Sequence, residues 1–270
     1  MDMIIASVSL VACIWSYATD LRGRHYEVND VVGRDRIAML QHYEPAGYWE
    51  TQRQRLGKDL TATSDYRTRN DYAVTLMHLR QPKEAITFLQ AIETEHPGKY
   101  ETAVNLGTAY ELAGDDVRAL QWIREGMRRN PKAHDGTEWV HVRILEAKIA
   151  IARDPHWLDT HTVLGVDFGA SAAPRTLPRF PPNNIGQPMA LKGFAESIEY
   201  QLSERLEFVH APDPVVADLL FDCANGFMVH GPIETAEAYF NESLKYGTLR
   251  AQLARQRIHY IRGILAKAKK

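Results

Sequence analysis

The chain has 270 residues, 45% of them apolar and 24% charged, close to ordinary globular usage. Its 32 basic and 34 acidic side chains leave a formal net charge of −2, without the basic surplus that marks a nucleic-acid binder. Two cysteines, Cys13 and Cys223, are too few for a disulfide framework, and Cys223 in Leu-Phe-Asp-Cys-Ala-Asn reads as a small buried hydrophobe.

Residues 1–18 read as a targeting leader. Met3 to Ala12 carries no charge, and the apolar character continues to Ala18. The run is shorter than the roughly 20 residues that span a bilayer. It fits the apolar core of a signal peptide, although the only early charge is Asp2. Ser16-Tyr17-Ala18 is a small-x-small processing site that would release a soluble protein. Leu10-Val11-Ala12-Cys13 resembles the lipobox of bacterial lipoproteins, which implies a lipid on the Cys13 thiol and cleavage before it. Acyl chains there would anchor the protein. An ordinary buried N-terminal helix is the third reading. The expected location is exported, periplasmic or cell-envelope, with membrane contact only through a lipid anchor or an uncleaved leader.

Residues 19–62 hold flanking helices, Arg34 to His42 and Tyr48 to Leu56. A repeat follows. Pro97 and Pro131 stand 34 residues apart, as do Ala85 and Ala119, Ala73 and Gly107, and Leu76 and Tyr110. Two copies, Tyr66 to Lys99 and Tyr100 to Ala133, place small residues where two helices cross and large ones around them: Tyr72, Leu76 and Leu89, then Leu106, Tyr110 and Ile123. Gly114-Asp115-Asp116 ends one helix and caps the next. The first copy has Arg80-Gln81-Pro82 there, with Pro82 suited to open a helix. Pro97 and Pro131 stop each second helix. A third copy, Ala217 to Arg250, aligns Ala224, Phe227, Gly231, Ala236 and Phe240, with Gly247-Thr248 in place of the terminal proline.

This pattern resembles the tetratricopeptide repeat, and with its leader the chain resembles uncharacterised exported bacterial proteins of that kind. The resemblance implies an all-α solenoid of antiparallel helix pairs and no particular activity. Two repeat units would occupy residues 63–133 and a further unit 211–248. Between them, residues 134–210 read as an irregular helix pair. Its first helix, Thr137 to Arg153, aligns Val140, Ile144, Ala147 and Ile151; its second, Gln187 to Leu206, aligns Leu191, Phe194, Ile198 and Leu202. The long loop 154–186 carries five prolines and lies between them. It is expected to fold back over the groove. Residues 249–270 read as a capping helix. Its cations suit a helix C-terminus, or contact with anionic lipid or an acidic partner.

The resemblance further implies a concave groove lined by the first helices. Its lining positions fall on Arg67, Asn70, Val74, Met77 and His78, then Glu101, Val104, Thr108, Glu111 and Leu112, then Asp218, Phe221, Asn225, Met228 and Val229. This mixture of apolar anchors and polar groups suits a peptide or partner helix, so the expected role is a protein-binding scaffold or adaptor. Several of these, such as Val104 and Leu112, are equally placed to touch only a neighbouring helix. The repeat proteins that clamp a C-terminal carboxylate need further amide and cationic groups. Only Asn105 matches, with Val74 and Asp135 in the other places. An enzyme is the alternative: His156, Asp159 and His161, with His141 upstream, are metal-ligand types, at a spacing that fits no metal signature. No phosphate-binding glycine loop or Gly-x-Ser-x-Gly elbow occurs. No cofactor is expected.

Overall fold

A computed structural model describes residues 16–41, 44–58, 60–61, 64–174 and 177–268. The lipobox and Cys13 lie outside them. Among the described residues the fold is mostly helical, with twelve α-helices and one two-stranded hairpin.

Strands β1 (Ser16–Thr19) and β2 (His25–Val28) pair antiparallel, Thr19 opposite His25. Asp20 Oδ1 closes the turn by accepting from the Arg22 and Arg24 amides, both at 2.9 Å. The leader boundary expected at residue 18 therefore falls inside a strand. Ser16 to Ala18 are paired, and Ala18 is fully buried. Processing after Ala18 would remove most of β1. The hairpin was not expected within an all-α chain.

Helices α1 (Arg34–Leu40) and α2 (Tyr48–Lys58) follow, close to the expected flanking helices. Next come α3 (Tyr66–His78), α4 (Pro82–Glu95), α5 (Tyr100–Leu112) and α6 (Asp116–Arg129). Helices α3 and α5 each have 13 residues and α4 and α6 each have 14, so the sequence period reappears as matched elements. Asp65 and Asp115 cap α3 and α6 through their carboxylates, and Pro82 opens α4. The small residues sit at the crossings. Ala73, Ala85 and Ala119 are fully buried. A Cβ on Gly107 would lie 2.5 Å from Ile123 Cδ1. One apolar cluster joins these four helices, with Leu76, Leu89, Leu106 and Ile123 inside it.

The second half is built from α7 (Glu138–Arg153), the one-turn α8 (Trp157–Thr160), α9 (Leu191–Leu206), α10 (Pro214–His230), α11 (Ile233–Lys245) and α12 (Ala251–Ala268). Helix α9 begins four residues later than expected, because the residue before Pro188 is held from helical geometry. A second apolar cluster runs through α7, α9, α10, α11 and α12 and includes Val163, Leu164, Val166 and Phe168 of the long loop. Helix α7 belongs to both: Leu145 points into the first cluster, while Val140, Ile144 and Ala147 point into the second. The hairpin docks on α11, where Thr19 Oγ1 donates to Glu234 at 2.6 Å, and His25 reaches the Ala268 carbonyl at the end of α12. No helix among the described residues is long and apolar enough to cross a membrane.

Candidate functional site

Helices α3, α5, α7 and α9 surround a cleft of about 360 Å³. Of the expected lining positions, Val74, Met77, His78, Val104, Thr108, Glu111 and Leu112 all face it. Three others on the same helices do not. Arg67 is exposed and lies over the Tyr66 ring. Asn70 is buried, donating from its side-chain amide to Thr102 and accepting from Asn105 at its Oδ1. Glu101 sits half-buried in the first turn of α5. His78 is held between aromatic rings, stacked on Trp49 at 3.5 Å and tilted against Phe208 at 4.5 Å. Burial, with Arg80 adding, pulls its imidazole down to about 4.

The far wall was not expected. It is a chain of buried charges from α7 and α9. Glu111 accepts from Arg205 at 2.7 Å, from His141 at 2.8 Å and from Lys148 at 3.0 Å. Burial alone would raise its carboxyl; Arg205, His141 and Lys148 outweigh that and hold it well below the usual range. Glu138 is the next link. Burial raises its carboxyl, but the imidazoles of His134, hydrogen-bonded to it, and His141, 3.6 Å away, bring it to about 2. His134 is raised by its bond to Glu138. His141 is disfavoured as a cation by burial, yet Glu111 and Glu138 on either side raise it. His134 and Asp135 both adopt left-handed backbone, with φ of 49° and 52°. Two such non-glycine residues in succession store strain of the kind found at working sites. One signal for this wall was present in the sequence: Glu138, His141 and Lys148 share a face of α7 beside its apolar stripe. Glu204, Arg205 and Phe208 come from the end of α9, far along the chain, and carried no local signal.

The lining positions on α10 are placed differently. Asp218, Phe221, Asn225 and Met228 are buried and Val229 is half-buried. The chain's own loop covers this end as part of the core, away from the cleft between α3, α5, α7 and α9. Asp218 accepts from the Val163 amide at 2.7 Å and pairs with Arg250 at 2.7 Å. Arg257, fully buried, donates to Asn225 and to the Gly169 and Ser171 carbonyls. Burial lowers its guanidinium to about 10. Burial beside Asp218 raises the Asp222 carboxyl well above its ordinary value. Asp218 directly, and Asn225 through Arg257, therefore hold the loop against α10.

The histidine cluster does not converge. His156 bonds Asp159 at 3.1 Å on an exposed turn, while His161 stacks on Trp157 and bonds its carbonyl at 3.0 Å. His141 is committed to the cleft. Among the described residues no group of three or more His, Cys, Asp or Glu side chains is disposed to hold a metal ion. A larger cavity of about 580 Å³ lies between α1 and α9, but its buried carboxylate, Glu199, is already satisfied by Arg36 and Tyr239. Compared with known proteins, the chain matches no family model and no curated protein.

Proposed function

We propose that this chain is a tetratricopeptide-type helix-pair protein that binds a segment of a partner protein in the cleft between α3, α5, α7 and α9, as a scaffold or adaptor. The supporting observation is convergence. Seven of the fifteen side chains that the family resemblance marks as groove-lining meet at one cavity, with apolar groups (Val74, Met77, Val104, Leu112) beside the Thr108 hydroxyl. The matched lengths of α3 and α5 and of α4 and α6 support the repeat assignment. An apolar leader with Cys13 in a lipobox-like context supports export to the cell envelope with a lipid anchor.

A random twelve-residue peptide library selected on the full chain tests this. Thr108 stands half-buried in the cleft wall, so Thr108→Arg fills the space without touching either core. Selected peptides should bind wild type and Thr108→Ala alike and lose at least about tenfold on Thr108→Arg, roughly 1.4 kcal/mol. Failure to select any peptide, or equal binding to the arginine variant, would overturn the assignment.

A further inference from the structure

The cleft is unequally balanced along its length. Its permanent cations, Arg205 and Lys148, both sit on Glu111, and Lys148 is shared with Asp116 at 2.6 Å. Glu138 has only imidazoles for counter-ions. Its Oε1 bonds His134 Nδ1. Its Oε2 makes no hydrogen bond, and the nearest charged nitrogen is His141 Nδ1 at 3.6 Å. The Glu138 side chain is 2% exposed, so this is a buried carboxylate oxygen in the wall of a cavity with no donor inside hydrogen-bond distance. Such an atom carries a desolvation cost that a guest donor would remove.

Glu204 lines the cleft close enough to act on His134, and Glu207 lines it beside His78 at 3.4 Å. Burial, with the charges of Glu204, Glu138 and Asp135 adding, holds the neighbouring Tyr200 hydroxyl up to about 12. An anionic guest would meet these carboxylates, while the cations able to receive it are committed to Glu111. A cationic guest meets the unfilled oxygen. Arg205 Nε, buried and without an acceptor, offers a donor for a carbonyl on the same guest.

We propose that the Glu138 end of the cleft seats a lysine or arginine side chain, its cationic head on Glu138 Oε2 and its aliphatic stem along the apolar wall. This extends the peptide-binding role proposed above by naming what the bound segment must carry. The charge and the stem are both used, as amphipathic basic side chains allow.

The probes are Nα-acetyl-lysine methylamide and its norleucine counterpart, titrated into the isotope-labelled full chain and followed by NMR. The lysine probe should shift the ring signals of His134 and His141 and bind about tenfold tighter than norleucine, a charge-assisted hydrogen bond being the difference. Glu138→Gln should abolish that preference. If that variant does not fold, Glu204→Gln at the exposed rim should weaken the preference without disturbing the core. Equal binding of the two probes, or a lysine preference that survives the carboxylate substitutions, would overturn the inference. Library peptides that bind the cleft without a basic residue would also overturn it, while leaving peptide binding intact. A lysine probe held by Glu138 with no peptide selected would instead support the cation seat and remove the peptide role.

Discussion

Arg80 and Gly114 occupy the same turn in successive helix pairs, both with left-handed backbone, at φ 62° and 83°. The bonds around them repeat. Arg80 N donates to the Met77 carbonyl and Gln81 N to Leu76, as Gly114 N does to Glu111 and Asp115 N to Tyr110. The geometry of the helix end dictates the conformation, and arginine accepts it where glycine is the easier choice. Three glycine substitutions separate the forces involved. Gly114→Ala adds left-handed strain and should cost about 1–2 kcal/mol. Gly107→Ala drives a Cβ to within 2.6 Å of two Ile123 side-chain carbons and 3.2 Å of its backbone nitrogen, and should cost about 1–3 kcal/mol through overpacking. Gly193, in α9, has nothing within 4 Å of an added Cβ, so Gly193→Ala should gain up to about 1 kcal/mol. Urea denaturation reads all three, and a destabilising Gly193→Ala would contradict this account. His78 supplies a pH signature. Its folded value, about 4, lies below the ordinary 6.5 despite Glu207 at 3.4 Å, so its contribution is present above pH 6.5 and lost as pH falls from 6.5 towards 4. A His78→Gln variant should show a flatter stability profile across that window.

Helix α7 carries the opposite signature, because its histidines are raised rather than lowered. The contribution of His134 and His141 is complete below pH 6.5 and lost as pH rises through their folded values. Wild type should lose stability as pH rises above 6.5, and His141→Gln should lose less; equal slopes would show that the imidazole between Glu111 and Glu138 is not the source. Removing that ring also takes one partner from each of two buried carboxylates, but Glu111 keeps Arg205 and Lys148 and Glu138 keeps His134, so the cost should stay below the roughly 3–5 kcal/mol of a buried pair broken outright. The elements differ in how visible they were in sequence. Helices α3 to α6 were legible because only small side chains fit their crossings, which imprints a period on the chain. Helix α7 was legible through Val140, Ile144 and Ala147, which hid the polar face beside them. The hairpin was missed because four-residue strands offer little alternation to read and Ser16 to Ala18 also suit a processing site. Half the cleft was visible from the repeat positions. The other half depends on Arg205 meeting Glu111 across 94 residues of chain, a contact set by how α9 lies against α7 and not by any local pattern.

At the scale of the molecule, two apolar clusters meet on α7. In the second, the segment from Thr162 to Ser171 packs along α10. Its backbone is held as a bound peptide would be, by Asp218 on the Val163 amide and by Arg257 on the Gly169 and Ser171 carbonyls. A displaceable cap would contribute little to stability; a core element contributes a great deal. Val163, Leu164, Val166 and Phe168 are each no more than 5% exposed. Burying one such side chain contributes about 1.5–3 kcal/mol. Four together approach the roughly 5–15 kcal/mol that holds a whole domain folded. Replacing residues 162–171 with a glycine-serine linker should therefore not open a second groove. It should strand Arg257 among lost acceptors and unfold the α9–α12 half, while α3 to α6, whose cluster includes none of these residues, keep their protection. Amide hydrogen exchange resolves the two halves. Loss of protection confined to α9–α12 fits a built-in strap; protection retained throughout, with new peptide binding along α10, would show a removable lid.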